Sequence, residues 1–117
     1  MADLHDAGEL NRLVSQSSQP VLVDFYKQGC ENCAAFEKTM GRLSGEYTGR
    51  VVFAEFMLMR ANGAAASPEL AEKYDILFYP TAILFRSGLP VKTFVTDYDI
   101  ADYRAALGQP TSRPAGR

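Results

Sequence analysis

The chain has 117 residues, 47% of them hydrophobic and 22% charged, a size and composition ordinary for one soluble globular domain with a real core. With 12 Lys and Arg against 14 Asp and Glu, the net charge is −2, and no basic face for nucleic acid is expected. No apolar run approaches the roughly 20 residues that span a bilayer, so no membrane partner is expected either.

The opening residues Met1-Ala2-Asp3-Leu4-His5-Asp6 are acidic and lack an apolar core. They do not read as a secretory signal, which makes a cytoplasmic location the expectation. His5 reads as a terminal polar residue without a role. Asp6 and Glu9 fit a helix-starting box in which each acid caps a free amide. Leu10, Leu13 and Val14 then share one face up to about Ser15. Ser15-Gln16-Ser17-Ser18-Gln19-Pro20 breaks that helix.

Val21-Leu22-Val23-Asp24-Phe25-Tyr26 reads as a buried strand, with Pro20 at its start and β-favouring Val21, Val23 and Phe25 within it. Lys27-Gln28-Gly29 leads to Cys30-Glu31-Asn32-Cys33, which holds the only two cysteines. From Cys33 the period becomes helical, with Phe36, Met40, Leu43 and Tyr47 on one face and Gly41 as a weak point within it. Val51 to Leu58 is nearly continuous apolar sequence and predicts a central strand buried on both faces. Arg60 to Ala66 is a small-residue loop. Ser67 is expected to cap a short helix with Pro68 at its first position and Glu69 at its positive end, Leu70, Ala71 and Tyr74 facing inward.

Thr81 to Phe85 predicts a third strand and Val91 to Val95 a fourth, joined by a turn over Arg86-Ser87-Gly88-Leu89-Pro90 as an antiparallel hairpin. Asp99 is positioned to cap a last helix with Ile100, Tyr103, Ala106 and Leu107 on one face. From Gly108 to Arg117 the composition predicts a disordered tail after a single domain at 1–107. Met57, Met59 and the aromatic residues read as core.

The chemistry lies in the cysteine pair. A cysteine at the head of a helix meets unpaired backbone N–H groups and the positive end of the macrodipole. A thiolate there is stabilised and is available as a nucleophile near neutral pH. A second thiol two residues on can attack the mixed disulfide the first one forms, and the couple passes two electrons. Other uses of a C-x-x-C remain open on spacing alone. A zinc site would need further ligands, which this chain could supply only across a dimer. An inert disulfide would close too short a loop to constrain the unfolded chain much.

The order β-α-β-α-β-β-α, with the cysteines at the first of these strand-to-helix junctions, resembles the thioredoxin family over about residues 6–107. The resemblance also rests on Val21-Leu22-Val23-Asp24-Phe25-Tyr26, on Lys73-Tyr74-Asp75-Ile76 followed by Tyr79-Pro80-Thr81, and on Phe85-Arg86-Ser87-Gly88. It implies an α/β fold, thioredoxin-like, with a central four-stranded mixed sheet flanked by helices. It implies that Cys30 attacks, that Cys33 resolves, that Asp24 assists the Cys33 proton, and that Pro80 is cis and lies against the pair. Tyr79 would offer its backbone to a substrate chain, within a groove shaped by Gly29, Glu31, Asn32 and Thr96. Substrates would be protein disulfides, and a thioredoxin reductase or another dithiol donor would supply electrons. No cofactor beyond the Cys30–Cys33 couple is implied, and a monomer is expected.

Several positions depart from the family pattern. Gly29 stands where tryptophan is usual, and Glu31-Asn32 where Gly-Pro is usual. Glu31 sets negative charge against a Cys30 thiolate, whereas Asn32 adds an amide that proline lacks. Glu55 falls where the family carries a lysine near the buried aspartate, so Asp24 and Glu55 become two acids in adjacent apolar strands. One of them is expected to hold a proton near neutral pH. Thr96 stands where glycine is common. This altered surface keeps a second function in play, a binding or redox-sensing module with little general reductase activity.

Overall fold

The computed structural model describes residues 1–109. In chain order the elements are β1 (Ala2–Leu4), α1 (Ala7–Gln16), β2 (Val21–Lys27), α2 (Glu31–Glu46), β3 (Val52–Met59), α3 (Pro68–Lys73), β4 (Thr81–Arg86), β5 (Leu89–Val95) and α4 (Ile100–Leu107). The sheet has five strands in the order β1-β3-β2-β4-β5, not the expected four. The additional strand is β1, which pairs parallel with β3 through Ala2–Ala54, Asp3–Glu55 and Leu4–Phe56. Three residues with an acid at the centre are too short to display a period-2 pattern, so the strand leaves no mark in the sequence. The predicted tail at 108–117 falls, from residue 110, outside the described residues.

Alternation along the strands sorts the core into two layers. Val21, Val23 and Phe25 of β2 point to the side covered by Leu10 and Val14 of α1 and Leu70 of α3. Leu22 of β2, Phe53 of β3 and Leu84 of β4 point to the other side, under Phe36, Met40 and Leu43 of α2 and Tyr103 of α4. The Tyr103 ring stacks on Phe94 at 4.1 Å between centroids and lies 5.2 Å from Phe36. Asp24 belongs to this second layer by parity with Leu22.

The strand β3 departs from the expected burial on both faces. Phe53, Ala54, Phe56 and Leu58 are buried, but Glu55, Met57 and Met59 are only half covered. These three lie on the α2 side of the sheet towards the cysteine end of β2, where the helix cover thins. The hairpin turn is also tighter than predicted. Only Ser87 and Gly88 connect β4 to β5, with φ of 54° and 81°. Two successive left-handed residues make the type of two-residue turn that matches strand twist, and Gly88 suits its second position.

Capping follows the sequence with two revisions. The Asp6 carboxylate accepts from the Glu9 amide at 2.8 Å, and Asp99 accepts from the Ala101 amide at 3.0 Å. Glu9 in turn accepts from the amide of His5, not Asp6, at 2.6 Å. Ser67 makes no side-chain cap; its hydroxyl donates instead to Glu69 Oε1 at 2.9 Å.

Candidate functional site

Strand β2 leads directly into the site. Its pairing with β3 slips by one residue between Tyr26 and Lys27, so the chain leaves the sheet through a bulge. The Gln28 amide still donates to Met59 O at 2.9 Å, and the Gln28 side-chain oxygen accepts from the Ala61 amide at 3.2 Å. A tight turn follows, closed by the Cys30 amide donating to Lys27 O at 3.3 Å. Gly29 has φ of 76° at the third position of that turn. A Cβ there would meet only Ala61 Cβ at 3.9 Å, so backbone conformation and not space is what favours glycine.

Cys30 is the N-cap of α2, and its Sγ accepts from the Cys33 amide at 3.2 Å. An orphan donor of the first helical turn is thus aimed at the sulfur, in the role that a serine or aspartate oxygen usually fills. Cys30 is half-buried, whereas Cys33 is only 6% exposed, and both are free thiols. Burial, and then the hydrogen bond with Cys30, push the Cys33 thiol up to about 12. The two sulfurs therefore differ in access, and burial disfavours ionisation of Cys33.

Asp24 sits behind the pair on β2. It is 3% exposed, and its Oδ1 has no hydrogen-bond partner. Burial first, then the charges of Glu55 and Glu37, raise its carboxyl from an ordinary 3.8 to about 8. Asp24 and Glu55 are Cα partners across β2 and β3, adjacent as the family resemblance implies. Glu55 is raised as well, by burial first and then by Asp3 and Glu37. A cleft of about 340 Å³ joins Asp24 to the cysteines and is lined by Asp24, Tyr26, Lys27, Cys30, Cys33 and Glu37 among others. Gly29 and Glu31 also line it, and Glu31 and Asn32 are exposed in the first turn of α2.

Pro80 immediately precedes β4, whose Thr81 pairs with Phe25 near the cysteine end of β2. The Tyr79–Pro80 bond is cis, as the resemblance implies, and Pro80 is buried. The Tyr79 phenol is raised by burial and then by the charge of Cys33. Thr96 is bound to this segment, its amide donating to Pro80 O at 2.8 Å. The structure therefore brings Thr96 to the cysteine end of the sheet together with Tyr79 and Pro80.

Thr96 has φ of 47°, a left-handed value that a β-branched residue rarely adopts. Its side chain is exposed and loses little when removed. Thr96→Gly is therefore expected to stabilise the fold by about 1 kcal/mol, the relief of strain exceeding the added freedom of the unfolded chain. Chemical denaturation of both proteins measures this, and a variant less stable than the parent contradicts it.

Sequence reasoning missed Glu37. An exposed glutamate in an amphipathic helix looks like solvent-facing charge, but it lies four residues after Cys33 and so on the same face. That spacing was the available signal. Among the described residues no group of three or more His, Cys, Asp or Glu side chains is arranged to hold a metal ion.

Comparison with known proteins agrees with this geometry. The thioredoxin family profile matches residues 3–107. The thioredoxin of Mycolicibacterium smegmatis is 32% identical over 79 residues, covering 68% of this chain and 67% of that protein. The bifunctional thioredoxin reductase/thioredoxin of Mycobacterium leprae is 30% identical over 82 residues, covering 70% of this chain but 17% of its own length. Among solved structures, oxidised mitochondrial thioredoxin 3 of Saccharomyces cerevisiae superposes with a TM-score of 0.76 at 19% identity, covering 92% of each chain. Reduced Schistosoma mansoni thioredoxin pre-protein gives 0.74 at 26% identity, covering 91% of this chain and 93% of that one. A sequence match that runs from the first strand to the last helix, over the same fold, leaves one conclusion: the chain belongs to the thioredoxin family.

Proposed function

We propose that this protein is a thiol–disulfide oxidoreductase that reduces protein disulfides through Cys30 and Cys33. The observation that carries the reading is the N-cap geometry, with the Cys33 amide aimed at the half-buried Cys30 sulfur and the Cys33 thiol buried below it. In the first step the Cys30 thiolate attacks one sulfur of a substrate disulfide. A Cys30–substrate disulfide forms, the substrate S–S bond breaks, and the electron pair leaves on the other substrate sulfur. In the second step Cys33 gives its proton to Asp24 and attacks Cys30. The Cys30–Cys33 bond forms and the second substrate sulfur departs as thiolate. Two electrons have then passed from the dithiol to the substrate.

The rim of the cleft positions the substrate in this reading. Tyr79 offers backbone beside Pro80, and Gly29, Glu31, Asn32 and Thr96 shape the groove. The fusion named in the Mycobacterium leprae relative supports a thioredoxin reductase as the electron donor. No helix among the described residues is long and apolar enough to cross a membrane, and the cytoplasm is the proposed site of action.

Cys33→Ser tests the reading, because it leaves the first step intact and removes the second. The variant is expected to accumulate covalent mixed disulfides with substrate proteins, released by dithiothreitol and absent in the Cys30→Ser,Cys33→Ser double variant. A Cys33→Ser protein that captures nothing, with Cys30 inert to alkylation in the native state, overturns it.

A further inference from the structure

Asp24 is approached from every element packed around it, and almost every approaching group is an acid or neutral. From β3 comes Glu55, its Cα partner. Beyond Glu55, β1 brings Asp3 into register with it. From α2 come Cys33 and, one helical turn later in the same cleft, Glu37. From α4 comes the Tyr103 phenol, which the Asp24 charge helps to raise, and on its own strand Tyr26 shares the cleft. Strand β4 places uncharged Ala82 opposite. The rim carries Glu31 and a single cation, Lys27.

This arrangement leaves a buried carboxyl with an unpartnered oxygen between two further carboxylates, one on the adjacent strand and one lining its cleft. A carboxyl so placed keeps its proton until the solution is alkaline enough to remove it, and while it holds that proton it cannot accept another. On the open side, in the cleft that Asp24 lines, Glu37 stands exposed.

We propose that Glu37 and Glu55 are positioning residues of the dithiol site, which act through Asp24 to hold its proton at neutral pH and so restrain the Cys33 resolving step until conditions turn mildly alkaline. The inference rests on the reductase reading, since it concerns that reading's second step. The step itself is unchanged: the Asp24 carboxylate takes the Cys33 proton, the Cys33–Cys30 bond forms, and the substrate thiolate leaves and is protonated by water.

The protein, reduced and mixed with dithionitrobenzoate, reports both steps as successive releases of thionitrobenzoate, the second being resolution. Removing either like charge is expected to make resolution easier below the Asp24 midpoint, a direction that mere damage would not produce. Glu37→Gln and Glu55→Gln should each speed the second phase about threefold near pH 6.5, and Glu37→Lys more. Both should also move the Asp24 carboxyl midpoint down in carbon-detected NMR titration. Glu37→Asp should restore the parental pH profile, and in an Asp24→Asn background Glu37→Gln should change nothing. Asp24 midpoints unmoved by both substitutions, or an undiminished alkaline rise in Asp24→Asn, overturn the gate and leave the reductase reading standing. A parent protein with no second phase overturns both.

Discussion

Asp24→Asn is expected to make the protein more stable above pH 8 by roughly 3 kcal/mol or more, and to flatten a stability curve that in the parent falls steadily from acid to alkaline pH. The cause is an acid whose folded value is raised, from 3.8 to about 8. Between those values the native state keeps a proton that the unfolded chain has released. Folding then weakens by about 1.4 kcal/mol for each pH unit, roughly 6 kcal/mol over the whole window. Stability from this group is complete below about pH 4 and is lost as pH rises through about pH 8. The buried amide of asparagine offsets part of the gain, since it too lacks a partner.

Glu55 is raised in the same sense and should leave a shallow residual slope in the variant. The Cys33 thiol, raised from 9.0 to about 12, contributes only above about pH 9 and does not confuse the window. Urea unfolding at a series of pH values, extrapolated to water, measures both curves. Parallel curves for parent and variant would show that Asp24 ionises in the native protein as it does in water.

The Asp24–Glu55 pairing came from the family resemblance, which sets Glu55 where a lysine is usual beside the buried aspartate; the two apolar strands alone would also have allowed a slip of one residue that turns Glu55 outward. Lys27 to Tyr47 was legible in the sequence itself, as the change of period after Cys33 marks the start of a helix and puts the cysteines at its head. The three-residue β1 was not, because its pairing to β3 is decided by backbone hydrogen bonds to a strand more than forty residues away. The half-open face of β3 was hidden too. An apolar run reads as fully buried, and only the placement of α2 shows where its cover stops. The cis geometry at Pro80 came from the family resemblance, since a proline before a strand is ordinarily trans. The Ser67 revision is local, because a nearby glutamate competed for its hydroxyl. Glu37 was missed for the opposite reason: its spacing from Cys33 puts it on the site face of the helix, but an exposed helical acid reads first as solvent-facing charge.

That same placement of Cys33 under α2, with Cys30 at its mouth, predicts a large asymmetry between the two thiols. The shift of Cys33 from 9.0 to about 12 lowers its thiolate population near neutral pH by about a thousandfold. Burial to 6% exposure reduces its access to reagents further. Cys30 is open at the cleft and receives the Cys33 amide at 3.2 Å. Iodoacetamide at about pH 7.5, followed by peptide mapping, should therefore modify Cys30 at least about a hundredfold faster than Cys33 in the native dithiol, and the two should become similar in guanidinium. Turnover with a disulfide substrate should fall by about a thousandfold or more in Cys30→Ser, because the remaining thiol is both covered and protonated. Cys33→Ser should keep the first attack at near the parental rate and stop there. Equal modification of both cysteines in the folded protein would mean that Cys33 is not held under the helix, and the division of labour between attacking and resolving sulfur would then have no physical basis.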